Sequence, residues 1–390
     1  MAERPSHLIY MDNASTSWPK APGVSEAMAE LLHQGLANPG RGSHRLALAS
    51  SRRVLAARQA VAELFNLEDP LRVIFTANVT QALNLVLWGW LRTGERVVTT
   101  SMEHNAVMRP LRALERERGV RVRQVPSDDD GRLPLGALGE ALAEGASLFV
   151  MTHASNVTGA VLPLLEAAAM CRCRGIPVLV DVAQTAGVLP IDMVGLGLDM
   201  VAFTGHKALL GPTGTGGLCL GPNVDTERLR PLIYGGTGSR SDEEAQPDFL
   251  PDRYEAGTLN SVGIAGLLAA LRYLRGETLT RVCHQEQRLM AMLTEPLLRL
   301  PRLRLYGPLD PPAQVAVLSF NIEGMDGAEV AFRLDEEYGV LARVGLHCAP
   351  SAHRSIGTFP QGTVRLGLGY FSTPEDVEAV CRAIAEIARG

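Results

Sequence analysis

The sequence predicts an α/β fold: a large unit built on a mainly parallel seven-stranded sheet, followed by a smaller α+β unit. Three observations carry this reading. Seven short apolar runs alternate with helical patterns between about residues 45 and 220, as in a sheet covered by helices on both faces. Beyond residues 257–263 the pattern changes to long helices, after which strands and helices alternate again. At 390 residues the chain also exceeds one typical core. The two units are expected at 15–262 and 263–390.

In chain order, the first helical pattern covers 45–65. The run ending Phe75-Thr76 predicts a strand over 71–76, and the helix over 79–91 carries Leu83, Leu85 and Leu87. Arg96-Val97-Val98-Thr99-Thr100 predicts the strand 95–100, followed by a helix over 105–118 and a strand over 120–125. Leu148-Phe149-Val150-Met151-Thr152 lies in the strand 147–152, and a helix follows over 161–174. Pro177-Val178-Leu179-Val180 and Met200-Val201-Ala202-Phe203 predict strands over 177–182 and 199–204, and the seventh strand covers 215–220. Residues 235–252 are rich in Gly, Ser, Asp and Pro and read as a loop. Helices over 262–275 and 280–299, strands over 315–322 and 363–369, and a closing helix over 374–389 complete the smaller unit.

Composition narrows the function classes. Hydrophobic residues at 46% and charged residues at 20% describe an ordinary globular protein, and a net charge of −5 without a long basic run argues against nucleic acid as a partner. The start lacks the apolar core of a signal peptide, and no apolar stretch approaches the ~20 residues that span a bilayer, so no membrane association and a cytoplasmic location are expected. The six cysteines read as free thiols. Cys171-Arg172-Cys173 supplies no tetrahedral zinc site, since no second ligand pair follows, and no metal is predicted.

The chemistry is concentrated at strand ends. Lys207 follows the run 200–203, at the carboxyl end where open α/β sheets place ligands. Asp181 ends a neighbouring run. A lysine and an acid so placed are what pyridoxal 5'-phosphate requires, the lysine to hold the cofactor covalently and the acid to keep the pyridine nitrogen protonated. Further motifs fall at successive strand ends: Tyr10 to Ala14, Met102-Glu103-His104-Asn105-Ala106, Thr152 to Gly159, Asp181 to Gln184, Thr204 to Lys207, Glu255 to Thr258, and Arg343 to Cys348. With them the chain resembles the cysteine desulfurases of the class V aminotransferase family, pyridoxal-phosphate enzymes of fold type I. The short stretch from Cys348 to Arg365 is similar to the group II members. The resemblance implies a small domain joined by the N-terminal segment 1–14, and a homodimer with shared active sites.

It also implies roles. Asn78, Val79 and Thr80 form the phosphate turn, where free N–H groups at a helix start favour an anion; Asn78 and Thr80 are equally good helix caps. Thr204 and His206 are further phosphate ligands, and Thr258 is one supplied by the second subunit. His104 stacks on the pyridine ring, unless it is a surface or capping histidine. Asn156 reaches the cofactor or the substrate carboxylate, and Gln184 donates to the phenolic oxygen. Arg365 suits the α-carboxylate of an amino acid, which a guanidinium binds bidentately; Arg41 lies on a glycine-rich loop that approaches the substrate. Cys348 sits in a turn-rich, accessible stretch and would take sulfur from L-cysteine as a persulfide, leaving L-alanine, with His347 and Arg343 as nearby sources of positive charge. A sulfur-acceptor protein is the implied partner. Relatives acting on selenocysteine or cysteine sulfinate, other class V aminotransferases or lyases, and a scaffold without turnover are the competing readings.

Overall fold

The structure, a computed structural model, describes residues 8–35, 37–39 and 42–389. All seven runs form strands of one sheet, in the order Val73–Thr76, Gly216–Leu220, Met200–Thr204, Val178–Asp181, Leu148–Thr152, Arg96–Thr100, Arg121–Val125. Gly216–Leu220 runs antiparallel to both its neighbours, and every other pairing is parallel. Six strands therefore deliver their carboxyl ends to the same edge. The four strands from Leu148–Thr152 to Gly216–Leu220 are buried throughout, because helices lie on both faces.

Alternation along each strand builds two cores. Val98, Phe149, Val180 and Phe203 face one side and pack with Leu138, Ala167 and Leu267. Val97, Val150, Leu179 and Met200 face the other and meet Leu83, Val86 and Leu111. The expected helices appear as Arg45–Leu64, Val79–Trp90, Asn105–Arg118 and Leu164–Arg172, the last shortened because Pro163 sits at its N-cap. Helices Val24–Gln34, Leu135–Ala143 and Gly327–Tyr338 lie outside the expected set. Residues 235–252 contain neither helix nor strand.

The smaller sheet is antiparallel, in the order Arg343–Gly345, Thr363–Gly367, Val317–Ile322, Leu303–Tyr306. Leu279–Leu297 and Pro374–Arg389 cover it through Leu289, Leu293, Val380 and Ile384. The N-terminal strand Ile9–Tyr10 pairs in parallel with Val340–Leu341, Asp12 bridges to Gly367, and Ile9 and Met11 enter this second core. Helix Ser261–Glu277, by contrast, buries Ile264, Leu267 and Leu271 in the core of the large sheet. That packing fits a junction at Thr278, between the two long helices, better than one after residue 262. Among the described residues no helix is long and apolar enough to cross a membrane.

Candidate active site

Lys207 emerges from the strand Met200–Thr204 through Gly205, where a Cβ would lie 2.2 Å from the Thr215 hydroxyl, so the turn needs glycine. The Lys207 amine is half-buried and has no hydrogen-bond or ion-pair partner among the described residues. Burial depresses its pKa to about 8 with help from Arg365, against the opposing fields of Asp181, Asp12 and Cys348. Asp181, at the end of the adjoining strand, is buried and accepts the Ala183 N–H at 2.9 Å. Burial raises its pKa, while that N–H and Lys207 act to hold the charge.

His104 is the cap of helix Asn105–Arg118: its Nδ1 accepts the Ala106 N–H at 2.9 Å. Capping fixes the ring and leaves the proton on Nε2 of the neutral form. Burial, then the charges of Lys207, Arg109 and Arg365, lower its pKa to about 4. Gln184 currently donates to the Ala14 carbonyl at 3.1 Å. Asn78 caps helix Val79–Trp90 by accepting the Gln81 N–H at 3.0 Å, and the N–H groups of Val79 and Thr80 point beyond the helix start as the first turn requires. Thr76 and Thr204 both pair with Gly216, whose missing Cβ would lie 2.7 Å from the Asn78 Cα. The Asn78 turn therefore abuts the end of the Lys207 strand. Thr204 is buried, and its hydroxyl makes a long 3.4 Å contact with the Thr215 carbonyl. His206 offers its carbonyl to Ser17 and Lys20, whereas its buried Nδ1 has no partner among the described residues.

Arg365 is buried in the strand Thr363–Gly367. Its guanidinium donates to Asp12 at 3.0 Å, the Ser15 hydroxyl at 2.6 Å and the Asn156 carbonyl at 2.9 Å, and its Nε has no partner among the described residues. Asp12 also takes a forked pair from Arg343. Burial works to raise the Asp12 pKa, but the hydrogen bonds from Arg343 and Ser15 and the field of Arg365 hold it below the usual range.

Cys348 is exposed, in a stretch where His347 and Cys348 both adopt left-handed backbone, at φ 47° and 57°. Non-glycine residues rarely do so, and the surrounding contacts must hold them. The Asn105 N–H donates to the Cys348 carbonyl at 2.7 Å, and the Asn156 amide donates to the His347 carbonyl at 2.7 Å. The His347 ring is buried against Thr363 and His353. Burial first, then Arg365, lowers its pKa to about 2, so His347 is neutral and is not the source of positive charge expected beside the thiol. Arg343 carries charge there, though tied to Asp12.

Lys207 thus lies within the fields of Asp181, Arg365 and Cys348, His104 within those of Lys207 and Arg365, and Asn156 touches both Arg365 and the His347 carbonyl, while Thr204 abuts the Asn78 turn across Gly216. Thr258 is exposed on the loop before helix Ser261–Glu277, and Arg41 falls outside the described residues. Sequence reasoning did not single out Asp12, Ser15 or Glu103. Glu103 is fully buried, accepts from the Thr100 hydroxyl and the Thr152 N–H, and burial pushes its pKa to about 8. Its position beside His104 was the available signal.

The sequence model of the family described as Aminotransferase class-V matches residues 9–380. The chain belongs to the class V aminotransferases, in their cysteine desulfurase branch. It is 36% identical over 385 residues to a protein of Methanothermobacter thermautotrophicus described as a probable cysteine desulfurase, covering 97% of this chain and 94% of that one. The apo structure of a cysteine desulfurase from Thermococcus onnurineus superposes with a TM-score of 0.91 at 32% identity, covering 98% of this chain and 95% of the other. A cysteine desulfurase of Escherichia coli, solved in an S-sulfonic acid form, gives a TM-score of 0.86 at 27% identity, covering 99% and 96% of the two chains.

Class V aminotransferases as a family imply pyridoxal phosphate, and the residues fit it. An unpartnered amine on Lys207, an orphaned buried Nδ1 on His206, a buried carboxyl on Asp181 and the helix start at Asn78 form one donor set. Among the described residues no group of three or more His, Cys, Asp or Glu is arranged to hold a metal ion.

Proposed function

We propose that this class V aminotransferase is a cysteine desulfurase that converts L-cysteine to L-alanine and carries the sulfur as a persulfide on Cys348. The observation that carries the reading is Cys348 itself: an exposed thiol on a backbone whose Cys348 and His347 carbonyls accept from Asn105 and Asn156, within the electrostatic surroundings of Lys207 and Arg365. Lys207, Asp181, His104, Gln184, Thr204, His206 and the Asn78–Thr80 turn would hold the cofactor, with Thr258 contributed by a second subunit of a homodimer. Pyridoxal phosphate supplies the electron sink for charge developing at the substrate Cα.

The chain's own residues do the rest. Arg365 takes the substrate α-carboxylate, exchanging part of its pairing with Asp12, and Asn156 orients the same end. The neutral Lys207 amine, favoured by the burial that lowers its pKa, moves the Cα proton. The Cys348 sulfur then attacks the substrate sulfur. A sulfur–sulfur bond forms, the carbon–sulfur bond breaks with its electron pair left on carbon, and that carbon takes a proton to become the alanine methyl. His104, neutral and capped in one orientation, keeps the face of the site in place. Incubating the loaded protein with L-cysteine, while quantifying alanine and sulfide and weighing the protein for added sulfur, tests the reading. Alanine with one added sulfur on Cys348 supports it; alanine without sulfur on that residue overturns it.

A further inference from the structure

We propose that the groove beside Cys348 docks an acidic, thiol-bearing segment of a partner protein, which takes the sulfur from this residue; the proposal rests on the desulfurase reading above. The groove has a volume of about 740 Å³ and runs between helix Asn105–Arg118 and the short helix Pro350–Ser355. Arg109, Arg112 and Arg116 line one side, at a spacing that puts all three on one helix face. Arg354 lines the other, its guanidinium 4.2 Å from the centre of the Phe359 ring. All four arginines are exposed, and no carboxylate lines the groove. Arg112 pairs with Glu115, whereas Arg109, Arg116 and Arg354 have no ion pair among the described residues.

This basic surface stands on a chain whose net charge is −5, so it is a local departure from the sign of the whole molecule. Guanidinium forks match carboxylates, and complementary fields of this kind steer encounters and fix register. The groove is joined to the chemistry through Asn105, which lines it and whose N–H holds the Cys348 carbonyl. The Ser355 hydroxyl, 2.8 Å from that of Ser101, ties the short helix to the floor. A docked segment therefore meets a surface fixed relative to the thiol. Nucleic acid is also a polyanion, but a groove whose Asn105 holds the backbone of the sulfur-bearing cysteine favours a partner with a thiol. Transfer balances without an oxidant: the partner's thiolate attacks the outer persulfide sulfur, a new sulfur–sulfur bond forms, and Cys348 leaves as thiolate with the electron pair of the broken bond.

The test uses persulfide-loaded holoenzyme, freed of excess cysteine, and two synthetic peptides with a single cysteine, one flanked by glutamates and one by lysines. Each rate of sulfur uptake is divided by the peptide's rate with a small persulfide in free solution, since lysines alone make a thiol more ionised. The glutamate peptide is expected to be at least about tenfold faster, an advantage that collapses at ~1 M salt, where screening reaches ~3 Å. Arg112→Glu/Arg116→Glu should abolish the advantage while alanine formation with excess small thiol stays unchanged. In a second arm, fluorescent versions of both peptides with serine for cysteine, and an oligonucleotide of equal charge, are titrated onto wild type and variant. Equal rates for the two peptides, unaltered preference in the variant, or tighter binding of the oligonucleotide overturns the docking. Failure to form any persulfide overturns the desulfurase reading and the acceptor role with it, while the binding arm still measures the groove's charge preference.

Discussion

The strand-end motifs made Asp181, Lys207 and His104 legible at the scale of single residues, because an ionisable group after a buried run has few places to be. Partners were less legible, since they come from distant parts of the chain: Asp12 and Ser15 reach Arg365, and burial rather than sequence decides that His347 is neutral. Replacing Lys207 by Ala should cut alanine formation by at least ~10³-fold, near the upper range for a positioned acid–base group, with circular dichroism unchanged. In the cofactor-free protein the amine reacts only when neutral. The rate of cofactor capture, followed by visible absorbance, should rise with pH and level off above about 8, the value set by burial of Lys207. For Cys348→Ser, cysteine should still bind and perturb the cofactor spectrum, yet mass spectrometry should find no added sulfur. Sulfur on Cys171, Cys173 or Cys283 in the wild type, with Cys348 unmodified, would reject the assignment.

Elements were read best where an apolar run was short and uninterrupted, as in the strands Leu148–Thr152, Val178–Asp181 and Met200–Thr204 of the large sheet. Helix Leu135–Ala143 escaped notice because two glycines inside it and Pro134 before it blur its period, and the apolar residues around the whole circumference of Ser261–Glu277 do not say in the sequence which core they enter. The buried pair of Arg58 and Glu255 joins elements that sequence reading left separate. Glu255 takes both arms of the guanidinium and the Phe75 N–H, so it fastens the loop leading to Thr258 onto the strand Val73–Thr76. Glu255→Ala leaves a buried arginine uncompensated, and thermal denaturation should show a loss of about 3–5 kcal/mol. Arg58→Met/Glu255→Met should recover much of it. A second buried acid acts in the opposite sense. Glu286, on helix Leu279–Leu297, has its pKa raised to about 8 by burial. A folded-state value above the unfolded one of about 4.3 means the folded chain binds the extra proton, so stability falls as pH rises through that window and is flat beyond it. Glu286→Gln should therefore raise the melting temperature relative to wild type at pH 8, and the gain should shrink towards pH 5.

At the scale of the whole molecule, the shared-site proposal turns on Thr258, which stands exposed on the loop before helix Ser261–Glu277. Scattering should report a dimer, and Thr258→Ala should weaken cofactor retention on dialysis without altering which cysteine takes sulfur. A monomer that holds cofactor as tightly as the dimer would contradict the shared site. The tie between the chain's two extremities has a further consequence for synthesis. Asp12 is made 331 residues before its partner Arg343 and 353 before Arg365, and the Asn13 N–H waits for the Gly367 carbonyl. Domains fold from the N-terminal side as the chain grows. A nascent chain can thus assemble the large sheet, with Asp181 and Lys207, well before Cys348 and Arg365 have been made. Translation thus delays completion of the candidate site until the strand Thr363–Gly367 has left the ribosome.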